Sequence, residues 1–365
     1  MALPELASQV LGRCELCGLC SENCSFLKKW GLPGDIARSV LNHESRTDPF
    51  ECSLCSLCTG VCPVGVDPAG MFLAMRRESL TRSPAILRKY WRLLLYERLN
   101  SSALLSWYKP SRTSESVFFP GCALAGTRPD ATWALFIELK RYMPGLGVVL
   151  DCCCRPSHDL GNTVLVEKRL QRMLERLHVQ GVRQIITACP SCYSLFQVCA
   201  PKLSIRMAWE VLPGMRLAHE KAPKHKLRLH DSCALRFFPG VQAGIRDYLA
   251  ESGLICEEFP DNFACTLCCG EGGAVGFLNR DMALAWGRVR KDQAGDDLVL
   301  TYCAGCTDYL RLAGIKAVHL IDFLIHPEKA LAGNTSQVKS PWTYWNRLRL
   351  KFRFIREVSK PENCQ

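Results

Sequence analysis

Short apolar runs alternate with longer amphipathic segments from residue 116 to about residue 325. In the first half of this region, SVFFPG, GVVLD and RQIITA are typical of buried parallel strands. Between them, DATWALFIELKRYM and VEKRLQRMLERLHV have the apolar spacing of amphipathic helices. In the second half, KLRLHD, LVLTY and AVHLID predict strands, and RDMALAWGRVRKDQ predicts a long helix. The pattern therefore predicts α/β structure throughout this region.

The first 115 residues have a different pattern. Residues 1–75 contain only short apolar segments, and MFLAMRRESL predicts a helix that leaves this part. Residues 76–115 form a basic connector, in which AILRKYWRLLLYERL has helical apolar spacing and SWYKPSRTSES is a turn-rich end. The connector helix either packs across the neighbouring modules or docks to a partner or a membrane surface.

The C-terminal tail, residues 331–365, has two competing patterns. Basic and apolar residues alternate from Arg347 to Phe354, which predicts a strand, whereas an apolar stripe from Trp345 to Ile355 has helical spacing. The pattern alone does not decide between them. The basic and aromatic composition favours docking to a partner or an anionic membrane surface as much as packing onto the protein body.

Composition adds an unusual number of cysteines to this picture. The chain has 365 residues and 23 cysteines, far more than is usual at this length. The N-terminal segment MALPELASQVLGRC lacks the basic and apolar regions of a signal peptide. No apolar run approaches the length of about 18 residues that a spanning helix needs. We expect a cytoplasmic protein, or one bound peripherally at the inner face of a membrane, whose cysteines bind metal.

The formal net charge is +11, but this value counts every cysteine as neutral. Each cubane iron–sulfur site with its thiolates would contribute about two negative charges. The assembled protein would then be much less basic than its sequence. Because no basic–aromatic reader motif is present either, nucleic acid is not an expected partner.

Eight cysteines near the N-terminus form two copies of the spacing C-x2-C-x2-C-x3-C. This is the spacing of bacterial ferredoxins with two [4Fe–4S] clusters, in which the fourth cysteine of each run binds the other cluster. The predicted ligands are Cys14, Cys17, Cys20 and Cys62 for cluster 1, and Cys52, Cys55, Cys58 and Cys24 for cluster 2. A pair of zinc sites is the alternative, but each run has one cysteine too many for it.

The later cysteines reveal an internal repeat with the order C…CC…C-x-x-C. The first copy contains Cys122, Cys152, Cys153, Cys189 and Cys192, and the second contains Cys233, Cys268, Cys269, Cys303 and Cys306. The offset of about 110–116 residues indicates two similar modules rather than a solenoid. A C-x-x-C pair alone is also compatible with a thioredoxin-like dithiol or with half of a zinc site.

This repeat resembles the cysteine-rich CCG domain of the heterodisulfide reductase family. Joined to the ferredoxin motifs, it is similar to the D subunit of those enzymes, to the C subunit of anaerobic glycerol-3-phosphate dehydrogenase and to the iron–sulfur subunit of glycolate oxidase. The resemblance implies an α+β fold, in which a helical two-[4Fe–4S] ferredoxin-like module precedes two α/β CCG modules. The implied boundaries are 1–75 for the ferredoxin module, 76–115 for the connector, 116–225 and 226–330 for the CCG domains, and 331–365 for the tail.

The resemblance also implies one or two further iron–sulfur clusters, of the non-cubane [4Fe–4S] type. Each would use the five cysteines of its repeat, and any catalytic role would fall on Cys233, Cys268, Cys269, Cys303 and Cys306. Three glycines after the second CC pair, Gly270, Gly272 and Gly273, would let backbone N–H groups approach the sulfurs. In the first repeat Cys154 replaces the glycine, either as an extra ligand or as a change in the backbone. The second repeat is therefore the safer cluster site.

Several cysteines and histidines have weaker assignments. Besides Cys154, four cysteines lie outside the motifs: Cys199, Cys256, Cys265 and Cys364. Cys199 and Cys256 are expected to be buried apolar residues, Cys265 could add a ligand, and Cys364 belongs to a frayed end. Three histidines near predicted strand ends are expected to be hydrogen-bonding or structural groups rather than ligands: His158, His230 and His319.

Together these observations predict an iron–sulfur electron-transfer subunit of a multi-subunit oxidoreductase. GEGGAVG follows a CC pair instead of opening a strand–turn–helix unit, so it is not a dinucleotide fingerprint. The expected partner is a flavoprotein or other redox subunit, or a membrane cytochrome or quinone-reactive subunit. The alternative is a catalytic subunit that reduces a disulfide, and a zinc or metal-storage scaffold is a third class.

Overall fold

The computed structural model describes residues 1–111, 113–214, 226–335 and 338–358; Cys364 and the end of the predicted tail lie outside the described residues. The helices are α1 Leu3–Arg13, α2 Ser25–Trp30, α3 Pro33–Leu41, α4 Leu57–Gly60, α5 Pro68–Arg82, α6 Trp91–Asn100, α7 Cys122–Thr127, α8 Pro129–Tyr142, α9 Arg155–Asp159, α10 Thr163–Val179, α11 Pro190–Cys199, α12 Pro239–Glu251, α13 Arg280–Ala294, α14 Ala304–Leu312, α15 Pro327–Leu331 and α16 Trp342–Val358. The strands are β1 Trp107–Lys109, β2 Ser116–Phe119, β3 Gly147–Leu150, β4 Gln184–Thr187, β5 Ser204–Met207, β6 Leu227–His230, β7 Cys256–Glu258, β8 Leu298–Thr301 and β9 Ala317–His319.

The N-terminal part consists of short helices around two loops that carry the first eight cysteines. The two loops have matching backbones, because Leu16 and Gly18 in the first have positive φ and so do Leu54 and Ser56 at the same places in the second. Residues in this left-handed region reverse the chain direction. The two segments with the same cysteine spacing therefore form the same loop, and each loop surrounds its own cavity.

The first α/β part is a five-stranded sheet in the order β1-β3-β2-β4-β5. Strands β2 to β5 are parallel, and β1 pairs antiparallel with β3. The sequence correctly predicted β2, β3 and β4, which are almost wholly buried. It did not predict β1 and β5, because β1 has only three residues inside the turn-rich segment and β5 begins with the exposed Ser204.

The second α/β part is a four-stranded parallel sheet in the order β7-β6-β8-β9. The order matches β3-β2-β4-β5 of the first sheet, strand for strand. The sequence correctly predicted β6, β8 and β9 but not β7, whose three residues are Cys-Glu-Glu and partly exposed. Helices cover these sheets, and the predicted α+β class, a helical module followed by two α/β modules, is confirmed.

The connector and the tail both pack onto the first α/β part. The helix α6 buries Glu97, whose carboxylate accepts hydrogen bonds from the N–H and hydroxyl of Ser157 at 2.8 and 2.7 Å and pairs with Arg169. The tail is the helix α16, which packs against α7 and α8. The tail therefore forms a helix and not a strand, but the predicted stripe is not the packed face, because Trp345 and Phe352 are exposed.

The helix α16 also has an outward face. Leu350 and Phe354 are buried, whereas Trp342, Trp345 and Phe352 are exposed on the opposite side. The predicted docking role of the tail stays a prediction. Within the described ranges, none of the helices combines the length and hydrophobicity needed to cross a bilayer.

One buried arginine joins all three parts of the chain. Arg76 of α5 is fully buried and donates to carbonyl oxygens on three parts: Pro49 at 3.0 Å and Cys52 at 2.5 Å, Asp159 at 2.7 Å, and Gly273 at 2.8 Å. The first two belong to a cysteine loop, the third to the first α/β part and the fourth to the second. A planar guanidinium with five N–H donors suits such a junction.

A second buried arginine fixes the same cysteine loop against the second α/β part alone. Arg236 donates to the carbonyl oxygen of Cys55 at 3.0 Å, to that of Thr266 at 2.6 Å and to that of Ala264. Both arginines thus bind backbone within the loop of residues 52–58. The position of this loop is set by side chains from outside it.

We expect Arg76→Met to lower the free energy of unfolding by about 3 kcal/mol or more, because several buried carbonyl groups lose charged hydrogen bonds. The matched control is Arg82→Met on the same helix. Arg82 is exposed and pairs only with Glu78 at the surface, so its loss should cost less than about 1 kcal/mol. Anaerobic thermal unfolding followed by circular dichroism measures both, and equal midpoints for the two variants would contradict the central role of Arg76.

Candidate metal centres

The first cysteine-lined cavity lies at the surface of the N-terminal part. It is lined by Cys14, Cys17, Cys20 and Cys62, with Cys58 at its wall. Cys17 is exposed, as are the neighbouring Leu16 and Leu19. The structure thus brings Cys62, from the second run, to the three leading cysteines of the first run. These are the four residues that sequence spacing assigned to cluster 1.

The second cavity lies deeper, between the N-terminal part and α13. It is lined by Cys24, Cys52, Cys55 and Cys58, together with Met282 and Trp286 of α13. Cys24, the last cysteine of the first run, therefore lies with the leading three of the second run. The backbone N–H of Leu54 donates to the Sγ atom of Cys52 at 3.4 Å. This cavity gathers the four residues assigned to cluster 2.

The electrostatics of both cavities fit a metal cluster. Burial, reinforced by the neighbouring thiols, raises the pKa of Cys20 to about 11 and that of Cys24 well above its usual range. Burial also raises the pKa of Cys52 to about 12. Several thiols packed together cannot all ionise unless a cation compensates them. A bound iron–sulfur cluster supplies that compensation, so this donor set suits such a group.

In both α/β parts, the motif cysteines follow the carboxyl ends of adjacent strands. In the first, the CC pair follows β3, Cys122 follows β2 and Cys189 follows β4. In the second, the CC pair follows β7, Cys233 follows β6 and Cys303 follows β8. Carboxyl ends of parallel strands meet at one sheet edge, where open α/β sheets bind ligands. Five cysteines distant in sequence are thereby collected at each edge.

The thiols at each edge follow the same order of contacts. In the first part, Cys122 lies 3.8 Å from Cys152 between Sγ atoms, and Cys153 interacts with both Cys152 and Cys192. In the second part, Cys268 interacts with Cys233 and Cys269, and Cys269 with Cys306. Gly121 fits this packing, because a Cβ there would lie 3.3 Å from the Sγ atom of Cys192. Each edge is therefore a cradle for a group held by sulfur.

The two edges face each other across one cleft with a volume of about 770 Å³. Nine of the ten motif cysteines line it: Cys122, Cys152, Cys153, Cys189, Cys192, Cys233, Cys269, Cys303 and Cys306. Aromatic rings of Tyr96, Phe237, Phe277 and Tyr309 form much of the remaining wall. The cleft is large enough to hold more than the metal centres themselves.

Sequence reasoning missed two charged residues in this cleft, Arg155 and Glu271. Each lies two residues after its CC pair, so they occupy equivalent positions, and both line the cleft. Arg155 pairs with Asp159 at 2.7 Å. Glu271 is open to the cleft but surrounded by protein, which raises the pKa of its carboxyl well above the usual range. The sequence could have revealed both residues, because an alignment of the two CC motifs places Arg155 opposite Glu271.

The tripled cysteine of the first part has a conformational explanation. Cys154 has φ 66° and ψ 22°, in the left-handed region that residues other than glycine can enter. Its Sγ atom lies 3.7 Å from the carbonyl oxygen of Cys152, and it does not line the cleft. Gly270 instead has φ 103°, and a Cβ there would overlap the carbonyl oxygen of Ala283. The second part therefore needs glycine, whereas the first tolerates cysteine.

The glycines after the second CC pair have different surroundings. The N–H of Gly270 donates to the Sγ atom of Cys268 at 3.3 Å. A Cβ on Gly272 would overlap the carbonyl oxygen of Ser53, and one on Gly273 would overlap that of Cys52. Gly272 and Gly273 thus let the backbone of the second α/β part approach the loop of the second cavity closely. They also lie near the cysteines.

At this junction, the second cavity and the second α/β part share a wall. Cys55 and Cys268 lie in one buried apolar cluster with Leu57, Leu267 and Trp286. The neighbouring thiol of Cys268 lowers the pKa of Cys55, although burial opposes this shift. A predicted ligand of cluster 2 therefore lies beside a predicted ligand of the second CCG module.

The other candidates lie outside the thiol sets or beside them. Cys265 is exposed and lines none of the three cavities, and Cys199 and Cys256 are half-buried. Nδ1 of His158 lies 3.0 Å from the carboxylate of Asp159, and Nδ1 of His319 accepts from the N–H of Ile321 at 3.2 Å. His230 is buried beside Cys269 and Cys306, with one ring nitrogen within 4.8 Å of both Sγ atoms.

Comparison with protein families identifies each of these parts. Residues 10–66 match the 4Fe-4S dicluster domain. Residues 116–197 and 227–311 both match the cysteine-rich CCG domain. The two domain types together account for all three cysteine-lined cavities, and [4Fe–4S] clusters are the cofactors of the dicluster domain.

Three curated proteins illustrate what the chain is similar to. It is 25% identical over 287 residues to an uncharacterized iron-sulfur protein of Methanocaldococcus jannaschii, covering 72% of this chain and 57% of that protein. It is 22% identical over 324 residues to the D subunit of dihydromethanophenazine:CoB–CoM heterodisulfide reductase of Methanosarcina barkeri, covering 76% and 77%. It is 23% identical over 305 residues to the B subunit of fumarate reductase (CoM/CoB) of Methanothermobacter marburgensis, covering 75% and 60%. The chain thus spans about three fifths of the first and third proteins.

We expect Cys62→Ser to damage the cluster at the surface cavity and to leave the deeper one intact, because Cys62 lies with Cys14, Cys17 and Cys20. Cys24→Ser is the matched variant and should damage only the deeper cluster. Iron analysis should show a loss of about one cluster in each, and EPR should show two different signals affected. If Cys62→Ser instead removed the signal that Cys24→Ser removes, the exchange of ligands between the two runs would be refuted.

Proposed function

The chain is an iron–sulfur protein similar to the D subunit of heterodisulfide reductase, with one dicluster domain and two CCG domains, and from this premise we propose how it works. It is an electron-transfer subunit of a multi-subunit oxidoreductase. When bound, the iron–sulfur clusters supply one-electron carriers. The residues of this chain hold those carriers, fix their order and exclude water between them. The observation that carries the proposal is that Cys55 of the dicluster domain and Cys268 of the second CCG domain lie in one buried apolar cluster.

The surroundings of the cavities support a defined order of sites. The surface cavity has exposed Cys17, Leu16 and Leu19 at its edge, which suits contact with a separate redox partner. Cys58 lines both the surface cavity and the deeper one. The deeper cavity in turn touches the second CCG domain through Cys55. The sites therefore form one row from the surface to the cleft, and the first CCG domain lies on the far side of the cleft.

The proposed partner is a flavoprotein or other redox subunit that meets the surface cavity. A membrane cytochrome or quinone-reactive subunit is a partner of the same kind. In either case the partner contributes the nucleotide or quinone chemistry, for which the described residues of this chain show no fingerprint. The predicted position at a membrane face belongs to this proposal and depends on which partner is present.

A second function, reduction of a disulfide, is favoured by one observation. Both CCG thiol sets open into a single cleft of about 770 Å³ with aromatic walls, so a substrate could lie between them. Glu271 and the Arg155–Asp159 ion pair add polar groups to the cleft wall. Two relatives have CoM and CoB in their names, which is consistent with thiol chemistry in such clefts. The relay function needs no substrate there.

We expect protein purified without oxygen to contain iron and sulfide, with two cubane signals in EPR after reduction and further signals from the CCG domains. The physical reason is that each cavity gathers thiols that only a cationic group can neutralise together. Iron and sulfide analysis with EPR measures this. Zinc in place of iron would refute the electron-transfer function.

Steady-state assays separate the two functions. Under a reduced dye, a thiol-linked heterodisulfide should be turned over only if the cleft binds substrate. Oxidation of the reduced clusters by a partner subunit, with no turnover of any such disulfide, is the result expected for the relay. Rapid disulfide reduction that persists without a partner would instead establish the catalytic role.

We expect Gly272→Ala to slow electron transfer between the dicluster domain and the second CCG domain while leaving both loaded with iron. The added methyl group would overlap the carbonyl oxygen of Ser53, so the junction must open, at a cost of about 1–3 kcal/mol. Gly240→Ala in α12 is the control, because a Cβ there meets no atom within 4 Å. Freeze-quench EPR after mixing with reductant measures the rate, and equal rates in the two variants would contradict the proposed junction.

A further inference from the structure

The two CCG domains are built alike but differ at one buried position beside the thiols. In the first domain Phe119 ends β2 and pairs with Thr187 of β4. In the second domain His230 ends β6 and pairs with Thr301 of β8. Each residue precedes its motif cysteine, Cys122 or Cys233, by three positions. Strand register therefore makes His230 the structural equivalent of Phe119.

The ring of His230 is buried, and the Cys269 thiol is a close polar neighbour. The residue is 1% exposed, and among the described residues neither Nδ1 nor Nε2 makes a hydrogen bond of ordinary distance and angle, although the Cys269 thiol lies near enough to interact with the imidazole. The ring of Phe259 packs edge-on at 6.3 Å between centroids. A buried polar group left without a partner costs about 1–3 kcal/mol. Such a group in a folded protein calls for an explanation, such as an ion or cofactor that the polypeptide alone does not include.

The thiols of the second domain are the polar atoms within reach. One ring nitrogen lies within 4.8 Å of the Sγ atoms of both Cys269 and Cys306. The first domain offers no nitrogen at this place, because the phenyl ring of Phe119 packs against Phe196 at 5.1 Å instead. The two domains thus have the same arrangement of cysteines, but only the second has an imidazole at this position beside them. Five cysteines already supply the ligands, so the imidazole is left as a donor.

We propose that His230 donates an N–H hydrogen bond to the sulfur of Cys269 in the loaded protein and thereby makes the second CCG centre easier to reduce than it would be without the imidazole. Reduction adds negative charge to the centre and its sulfurs, and a donated hydrogen bond stabilises that charge. His230 is a positioning residue in this sense, since it acts on the centre through the cysteine. The inference rests on the proposed function, because it requires a redox centre in the second CCG domain.

The test is an EPR-monitored redox titration of the full chain. His230→Phe copies the first domain and should shift the midpoint of the second CCG signal to more negative potential, with iron content unchanged. His230→Gln keeps an N–H donor and should shift it less. The signal is assigned by its loss in Cys306→Ser, and the cubane midpoints should not move in any His230 variant.

Two results would overturn the inference. One is an unshifted midpoint in His230→Phe with full iron content. The other is loss of the second CCG signal and its iron in both His230→Phe and His230→Gln, which would make the imidazole a ligand. If the phenyl ring prevents folding, His230→Met also lacks the donor and carries the same expectation. Absence of iron from the unmodified protein would refute the proposed function itself, so the two failures are distinguishable.

Discussion

The arrangement of this protein depends on buried arginines that bind backbone carbonyl groups. Arg76 gathers carbonyl oxygens from the dicluster domain and from both CCG domains, and Arg236 adds a second set at the same loop. Burying a guanidinium costs several kcal/mol unless its charge is compensated. Both arginines bind the carbonyl groups of Cys52 or Cys55, beside thiolates that a cluster would hold. Negative charge at that cluster is therefore a natural counterpart to the two cations, which couples cluster assembly to the docking of the domains.

The two copies of the CCG domain have different residues at equivalent positions near their thiols. The same strand order and the same chain of thiol contacts occur twice, yet three equivalent pairs differ: Phe119 and His230, Cys154 and Gly270, and Arg155 and Glu271. Within the described residues, the second copy shares a buried apolar cluster with Cys55 of the dicluster domain through Cys268. The second copy also has the tighter backbone at its glycine and an imidazole beside its thiols. The first copy faces it across the cleft with a more permissive conformation.

Much of the site could be predicted because cysteine spacing is a local property. Two residues between thiolates dictate a loop around one space, so the residues that line the first two cavities followed from spacing alone. Strands such as β2 and β8 are fully buried and gave a clear apolar signal. The strands β1, β5 and β7 are short or partly exposed and did not. Gly272 and Gly273 were interpreted by their neighbours in sequence, but their tightest contacts, with Ser53 and Cys52, are distant in sequence. Arg76 has no sequence signature, because its partners are backbone atoms of three separate segments.

The exposed edge of the surface cavity has a consequence for survival in air. Cys17 and the flanking Leu16 and Leu19 are open to solvent, whereas the thiols of the deeper cavity and of the cleft are largely enclosed. Oxidants reach accessible thiolates first. Oxidative damage should therefore begin at the outermost cluster while the inner centres stay intact. A protein in this state would be repairable, since only its most accessible cluster would have to be rebuilt.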